Sequence, residues 1–203
     1  MMTNQPKIFY TADLHFGHEN VIKHCNRPFA SVEDMERVLI DNWNSVVSDD
    51  DVVYIAGDFS YRSASSMKPI LKALKGKKHL VLGNHDRKWF KNIDPQEFFE
   101  SVSSLTEIND GKAHVTLCHY PMCSWHRSMR GAFLVHGHIH NNIHRDSAFI
   151  YLKDKKALNA GVDVNNFTPC TLDQLIDNKK KFYARHGLEV ITKDDFVEGN
   201  DDE

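Results

Sequence analysis

Five short polar clusters along the chain carry residue types that bind metal ions and move protons. They are Asp13-x-His15, Gly57-Asp58, Gly83-Asn84-His85-Asp86, His119 within CHYP, and Gly137-His138-Ile139-His140. Taken singly, most of them read as ordinary turns, because Gly, Asn and Asp are the residues that turns favour. Together they supply seven oxygen or imidazole donors: Asp13, His15, Asp58, Asn84, His119, His138 and His140. If one carboxylate is shared between two ions, each ion receives four ligands and keeps open positions for water and substrate. Such a donor set needs no thiolate. It suits Mn²⁺, Fe²⁺, Zn²⁺ or Ni²⁺ and does not choose among them.

The elements that must position these donors are legible from periodicity. Lys7 to Ala12, Val52 to Ala56, Lys78 to Leu82, Ala113 to Cys118 and Ala132 to Val135 read as strands, and each runs directly into one of the five clusters. Ligands of open α/β sheets bind beyond the carboxyl ends of strands, so five such ends point to one shared site. His138 and His140 flank one residue at a strand end, and strand geometry predicts that they face the same side. Val102 to Ile108 reads as one further strand, with Phe149 to Leu152 and Ala157 to Ala160 as short ones. Ser31 to Ser48 reads as an amphipathic helix, Ser66 to Leu74 as a short one, and Thr171 to His186 as a helix opened by a Thr171/Gln174 capping box.

Composition narrows the class. At 203 residues, with 41% hydrophobic and 26% charged residues, the chain matches an ordinary globular protein of one domain. Residues 1–198 are expected to form that domain and 199–203 an acidic frayed tail. The net charge of −3 offers no basic surplus for strong duplex nucleic-acid binding. The four cysteines form no CxxC pair and read as reduced thiols, and the N-terminus lacks the apolar core of a leader. The longest apolar runs fall far short of the ~18 residues that span a bilayer, so no membrane partner and a cytoplasmic location are expected.

The ordered set DLH, GD, GNHD, CHYP and GHIH resembles the calcineurin-like metallophosphoesterase family from Asp13 to His140. The flanks FGHENVIKHCNRPF, Trp125 to Phe133 and LNAGVDVNNFTP are similar to a small bacterial and phage subfamily. The resemblance implies an α/β fold, a four-layer αββα sandwich of two mixed β-sheets flanked by helices, with a dinuclear site at the strand ends. It implies that Asp13, His15 and His140 hold one ion, that Asn84, His119 and His138 hold the other, and that Asp58 bridges them. His85 would stand beside the ions as a catalytic group, and Asp86 would orient it through its imidazole N–H.

The implied cofactor is a pair of divalent ions, Mn²⁺ first, with Fe²⁺, Zn²⁺ or Ni²⁺ as alternatives. The implied activity is hydrolysis of a phosphodiester, a nucleotide or cyclic nucleotide, by in-line attack of a metal-bridging hydroxide. Phosphomonoesterase or pyrophosphatase action on the same ions is the alternative, ahead of a nuclease or a non-catalytic module. His18, Arg27, Arg62 and Arg87 lie near the motif loops and are candidates to grip the substrate. Tyr120 and Trp125 could stack a base, although packing is the better reading, and His136 reads as a core residue. The expected partner is a small phosphorylated molecule, and the oligomeric state is left open.

Overall fold

Two four-stranded sheets lie face to face in a computed structural model that describes residues 5–191, so the acidic segment 199–203 lies outside the described residues. The first sheet is built from β1 (Ile8–Thr11), β2 (Val52–Ala56), β3 (Lys77–Val81) and β4 (Ser101–Ser103), in that order. The second is built from β5 (Leu105–Asn109), β6 (His114–Cys118), β7 (Phe133–His136) and β8 (Ala157–Asn159), in that order. All strand pairs of the first sheet are parallel, whereas β5 runs antiparallel to β6 in the second. The expectation of two mixed sheets therefore holds for the second alone. The helices are α1 (Glu19–His24), α2 (Val32–Val46), α3 (Ala64–Ala73), α4 (Arg87–Phe90), α5 (Ala148–Leu152) and α6 (Leu172–Arg185).

Side-chain alternation assigns the layers. Phe9, Val53, Ile55 and Leu80 project from one face of the first sheet onto Met35, Leu39 and Trp43 of α2 and Met67 and Leu71 of α3. Tyr10, Ala12, Ala56 and Val81 project from the opposite face and meet Val115, Leu117, Val135 and Leu158 of the second sheet. The far side of the second sheet is covered by Leu152 and Phe149 of α5, Phe182 and Tyr183 of α6, and Trp125. The Lys179 ammonium ties α6 down by donating to the carbonyls of Leu152, Lys155 and Ala157. The Ser31 hydroxyl caps α2 by accepting from Asp34 N at 3.1 Å, and the Thr171/Gln174 box opens α6. No helix among the described residues is long and apolar enough to cross a membrane.

Two local expectations change, and one helix is new. The single strand over 102–108 is two strands: β4 pairs with β3, and β5 pairs with β6 in the other sheet. The in-out alternation breaks at the switch, where Ser104 and Leu105 are both exposed, and the single run from Val102 to Ile108 hides the change of partner. The segment 149–152 is helical, not extended. It buries Phe149 and Leu152, three apart, and exposes Ile150 and Tyr151 between them. Helix α1 carries one buried residue, Val21, which leaves too little pattern to read.

Because β1, β2 and β3 are parallel, their carboxyl ends share one edge of the first sheet. β6 and β7 are also parallel and end together in the second.

Candidate metal centre

The loops leaving these strands are held in uncommon backbone conformations. Asp13 (φ 56°), His15 (φ 55°), Asp58 (φ 51°), His138 (φ 75°) and His140 (φ 49°) all occupy the left-handed region. Asp, Asn and His tolerate it better than most residues, at about 1–3 kcal/mol each. Cross-loop hydrogen bonds hold them there. Asp13 N donates to Gly57 O and His15 N to Asp58 O, both at 3.0 Å, and Gly137 N donates to His119 O at 3.0 Å. The His138 amide donates to the Asp13 carboxylate at 2.9–3.0 Å. The approach is close enough to require glycine: a Cβ on Gly137 would stand 2.8 Å from Asp13 Oδ2, and one on Gly83 would collide with Asp58.

Two three-residue clusters result, each with ligand atoms within 4.8 Å of one another: Asp13/His15/His140 and Asp58/His119/His138. Asp58 lies between them, its Oδ2 3.6 Å from His15 Nε2 and 3.4 Å from His119 Nε2. Asn84 Oδ1 is 3.0 Å from His119 Nε2 and joins the second cluster. His138 and His140 therefore do not face one way. They follow β7 in left-handed loop geometry, and one side chain goes to each cluster.

Hydrogen bonds on the far side of each ring aim the free nitrogens inward. His140 Nδ1 lies 2.8 Å from Asp163 Oδ2 and His119 Nδ1 lies 2.9 Å from Ala56 O. With those nitrogens as donors, both Nε2 atoms carry lone pairs toward the centre. His119 Nε2 then faces two further acceptors, Asn84 Oδ1 and Asp58 Oδ2, an arrangement that calls for a proton or a cation. Among the described residues, His15 Nε2 is buried without a hydrogen-bond partner. An orphaned buried imidazole nitrogen is costly, and a metal ion satisfies it. The oxygen and imidazole donors fit a divalent ion.

Without a cation, protons take up part of the site's charge balance. Burial opposes the Asp58 carboxylate, but hydrogen bonding and charge from His119, the His85 amide and His15 outweigh it and bring its pKa down to about 2. Burial alone dominates at Asp13 and raises its pKa, and burial pushes His15 well below the usual imidazole range. Burial also disfavours the His140 imidazolium, yet the Asp163 hydrogen bond, with help from Cys25 and Asp13, pushes its pKa up to about 11.

Asp163, outside the five motif clusters, is part of the site. Its side chain is 1% exposed and receives Arg27 Nε and Nη2 at 2.8 and 3.0 Å. Arg27 also donates to the carbonyls of Asp13 and Leu14 at 2.7 and 3.0 Å. Arg27 is buried scaffold, tying the first motif loop to the one that holds Asp163, and does not reach out to substrate. The signal was available in the Gly161-Val162-Asp163 turn just past a strand, but nothing local distinguishes it from a surface turn. Cys25 also approaches His140 and Asp163, with all three ligand atoms within 4.8 Å.

Other expected residues sort as follows. Among the described residues the Asp86 carboxylate makes no hydrogen bond to the His85 ring. It accepts from Gly83 N, Asp58 N, Phe59 N and Trp89 Nε1 at 2.8–2.9 Å, which uses its acceptor capacity inside the core. Arg62 is committed to a two-point pair with Glu36 at 2.6 and 2.7 Å, so it is not a free substrate clamp. Arg87 is exposed at the start of α4.

His18 sits at the rim, its Nδ1 3.3 Å from His15 Nδ1 and its ring stacked on Tyr61. The His85 ring centroid is 5.3 Å from that of His15, and its backbone N–H donates to Asp58 Oδ1 at 2.9 Å. Trp125 is packed, with Nε1 donating to Ala132 O, and His136 is buried in the core.

A family profile for calcineurin-like phosphoesterases matches residues 6–191. An uncharacterized protein of Methanocaldococcus jannaschii is 37% identical over 172 residues, spanning 84% of this chain and 89% of that one. The gene 66 protein of Mycobacterium phage L5 is 32% identical over 160 residues, spanning 66% of this chain and 77% of that one. Among solved structures, a protein of unknown function from Aquifex aeolicus superposes with a TM-score of 0.66 at 26% identity, covering 85% of this chain and 98% of that one.

Proposed function

The chain belongs to the calcineurin-like phosphoesterase family, a family of metal-dependent phosphoester hydrolases, and from that premise we propose that it hydrolyses a phosphodiester of a nucleotide using two divalent ions. The observation that carries the dinuclear reading is the pair of adjoining donor clusters with Asp58 between them and His15 Nε2 unpaired. Asp13, His15 and His140 would hold one ion, and Asn84, His119 and His138 the other, with Asp58 reaching both. When bound, such ions polarise phosphoryl oxygens and lower the pKa of coordinated water, with Mn²⁺ the first ion to supply.

The protein's own groups do the rest. Asp163 and Arg27 fix the His140 ring and the Asp13 backbone, so the ligands need little reorganisation. The His85 side chain, at the rim and not bound to Asp86, is free to hydrogen bond a phosphoryl oxygen or protonate the leaving oxygen. His18 and exposed Arg87 are placed to meet the substrate's charge. Asn84 and Tyr120 are exposed beside the second cluster, which keeps that side of the site open to a substrate substituent.

The test combines metal counting with turnover. Protein saturated with Mn²⁺ and freed of excess should hold two ions per chain. It should hydrolyse bis-p-nitrophenyl phosphate and nucleotide diesters faster than p-nitrophenyl phosphate. One ion per chain would remove the dinuclear reading, and a preference for monoesters would remove the diesterase reading.

A further inference from the structure

Tyr61 and Tyr120 are each 47% exposed, and neither belongs to a hydrophobic cluster of the core. Among the described residues neither hydroxyl hydrogen bonds to the protein, so neither core packing nor a polar partner accounts for the two rings. Both tyrosines follow motif loops: Tyr61 is three residues after Asp58, and Tyr120 directly follows His119.

Each stands beside a different donor cluster. Tyr61 stacks on His18, with centroids 4.3 Å apart and planes 13° apart, and its centroid is 5.6 Å from that of His85. His18 and His85 in turn each lie 5.3 Å from His15 of the first cluster. Tyr120 meets His138 edge to face at 4.7 Å and His119 at 5.1 Å, both in the second cluster. A cation accompanies one ring: Lys88 Nζ is 5.7 Å from the Tyr61 centroid, and exposed Arg87 precedes Lys88. Exposed aromatic rings beside basic groups, flanking a phosphate-binding centre, form the arrangement on which unpaired nucleobases stack.

We infer that Tyr61 and Tyr120 are two base-stacking platforms, one beside each metal cluster, and that the substrate is therefore a linear phosphodiester joining two nucleosides. This rests on the phosphodiesterase reading and chooses within it. A cyclic mononucleotide has one base and occupies one platform, whereas a dinucleotide or a short single strand occupies both. Lys88 and Arg87, beside the Tyr61 platform, meet the next phosphate of a longer strand.

The experiment compares wild type with Tyr61→Ala, Tyr61→Phe, Tyr120→Ala and Tyr120→Phe, all loaded with Mn²⁺. The substrates are a dinucleoside monophosphate, the same diester with both bases removed, and a cyclic mononucleotide. Binding of a non-hydrolysable phosphonate-linked dinucleotide is read by calorimetry, separately from turnover. Each alanine variant should raise KM and Kd for the dinucleotide about tenfold, with kcat within about twofold, since stacking acts mainly on binding. Phenylalanine should restore both constants, and the base-free diester should not respond to any substitution. Unchanged melting temperatures are expected, because both rings lie outside the core.

If the alanine variants bind and cleave the dinucleotide as wild type does, or lose the base-free diester equally, the platforms are refuted while diester hydrolysis stands. If only Tyr61→Ala or only Tyr120→Ala responds, the two-base substrate is refuted. If wild type cleaves no diester at all, it is the underlying phosphodiesterase reading that fails.

Discussion

Replacing Asp86 removes one acceptor group from four donors at once. The amides of Gly83, Asp58 and Phe59 and the indole N–H of Trp89 all lie 2.8–2.9 Å from its oxygens, and the residue is fully buried. An unsatisfied buried donor costs about 1–3 kcal/mol. Burial raises the Asp86 carboxyl pKa above its ordinary value despite the Gly83 and Trp89 hydrogen bonds, so relief of that burial offsets part of the loss. Asp86→Ala is therefore expected to cost about 4–6 kcal/mol, taking the low end for each donor. That is a large share of the roughly 5–15 kcal/mol that stabilises a typical domain.

In Asp86→Asn the amide oxygen serves two donors while its NH₂ faces the other two, for a cost of about 2–4 kcal/mol. The asparagine variant should fold and permit kinetics. Its urea midpoint should drop and be partly restored by Mn²⁺, because the metal loop carrying Asp58 hangs on this carboxylate. Its pH–rate profile should keep the wild-type shape, because Asp86 makes no hydrogen bond to the His85 ring among the described residues. A wild-type urea midpoint together with a displaced acid or base limb would refute this account. Asp86 would then act on His85 as the motif alone implies.

Other expectations follow from the same geometry. Saturating Mn²⁺ at a thousandfold excess over Kd should stabilise the fold by about 4 kcal/mol. That corresponds to a melting temperature about 10 °C above that of chelator-treated protein, and indifference to chelator would count against a metal centre. Asp58→Asn should release or misplace an ion and lower turnover further than Asn84→Ala or His85→Ala, as measured by elemental analysis beside kcat. Asp163→Asn breaks the buried pair with Arg27. It should cost about 3–5 kcal/mol in denaturant titration and weaken Mn²⁺ binding, and an unaltered midpoint would show the pair to be dispensable.

His136 tests the acid side. Burial depresses its pKa to about 4, below the unfolded value near 6.5. The folded state therefore binds fewer protons in between. The stability from keeping this ring neutral is fully present above about pH 6.5 and is lost as pH falls toward about 4, some 3 kcal/mol in all. In chelator, His136→Gln should flatten stability against pH across that window, and a slope equal to wild type would remove His136 from the acid transition.

Local chemistry decided much of this protein. Val52 to Ala56 is a strand because a run of β-branched and aromatic residues ends in a Gly-Asp turn. Ser31 with Asp34 starts a helix because capping involves neighbours in the chain. The donors at the strand ends could be named because Asp, His and Asn after apolar strands is a pattern contained within a few residues.

Whatever depended on a distant partner was decided by the tertiary structure. Arg27 and Arg62 look like phosphate clamps until Asp163, 136 residues from Arg27, and Glu36, 26 from Arg62, take up their guanidinium groups. Asp86 stands next to His85 in the chain, yet its oxygens turn to the amides of Asp58 and Phe59, 28 and 27 residues away. The strand over 102–108 divides between two sheets because pairing is set by β3 and β6, not by its own alternation. Residue type limits what a side chain can bond to. Only the fold determines which group reaches it first, because burial makes that choice costly to reverse.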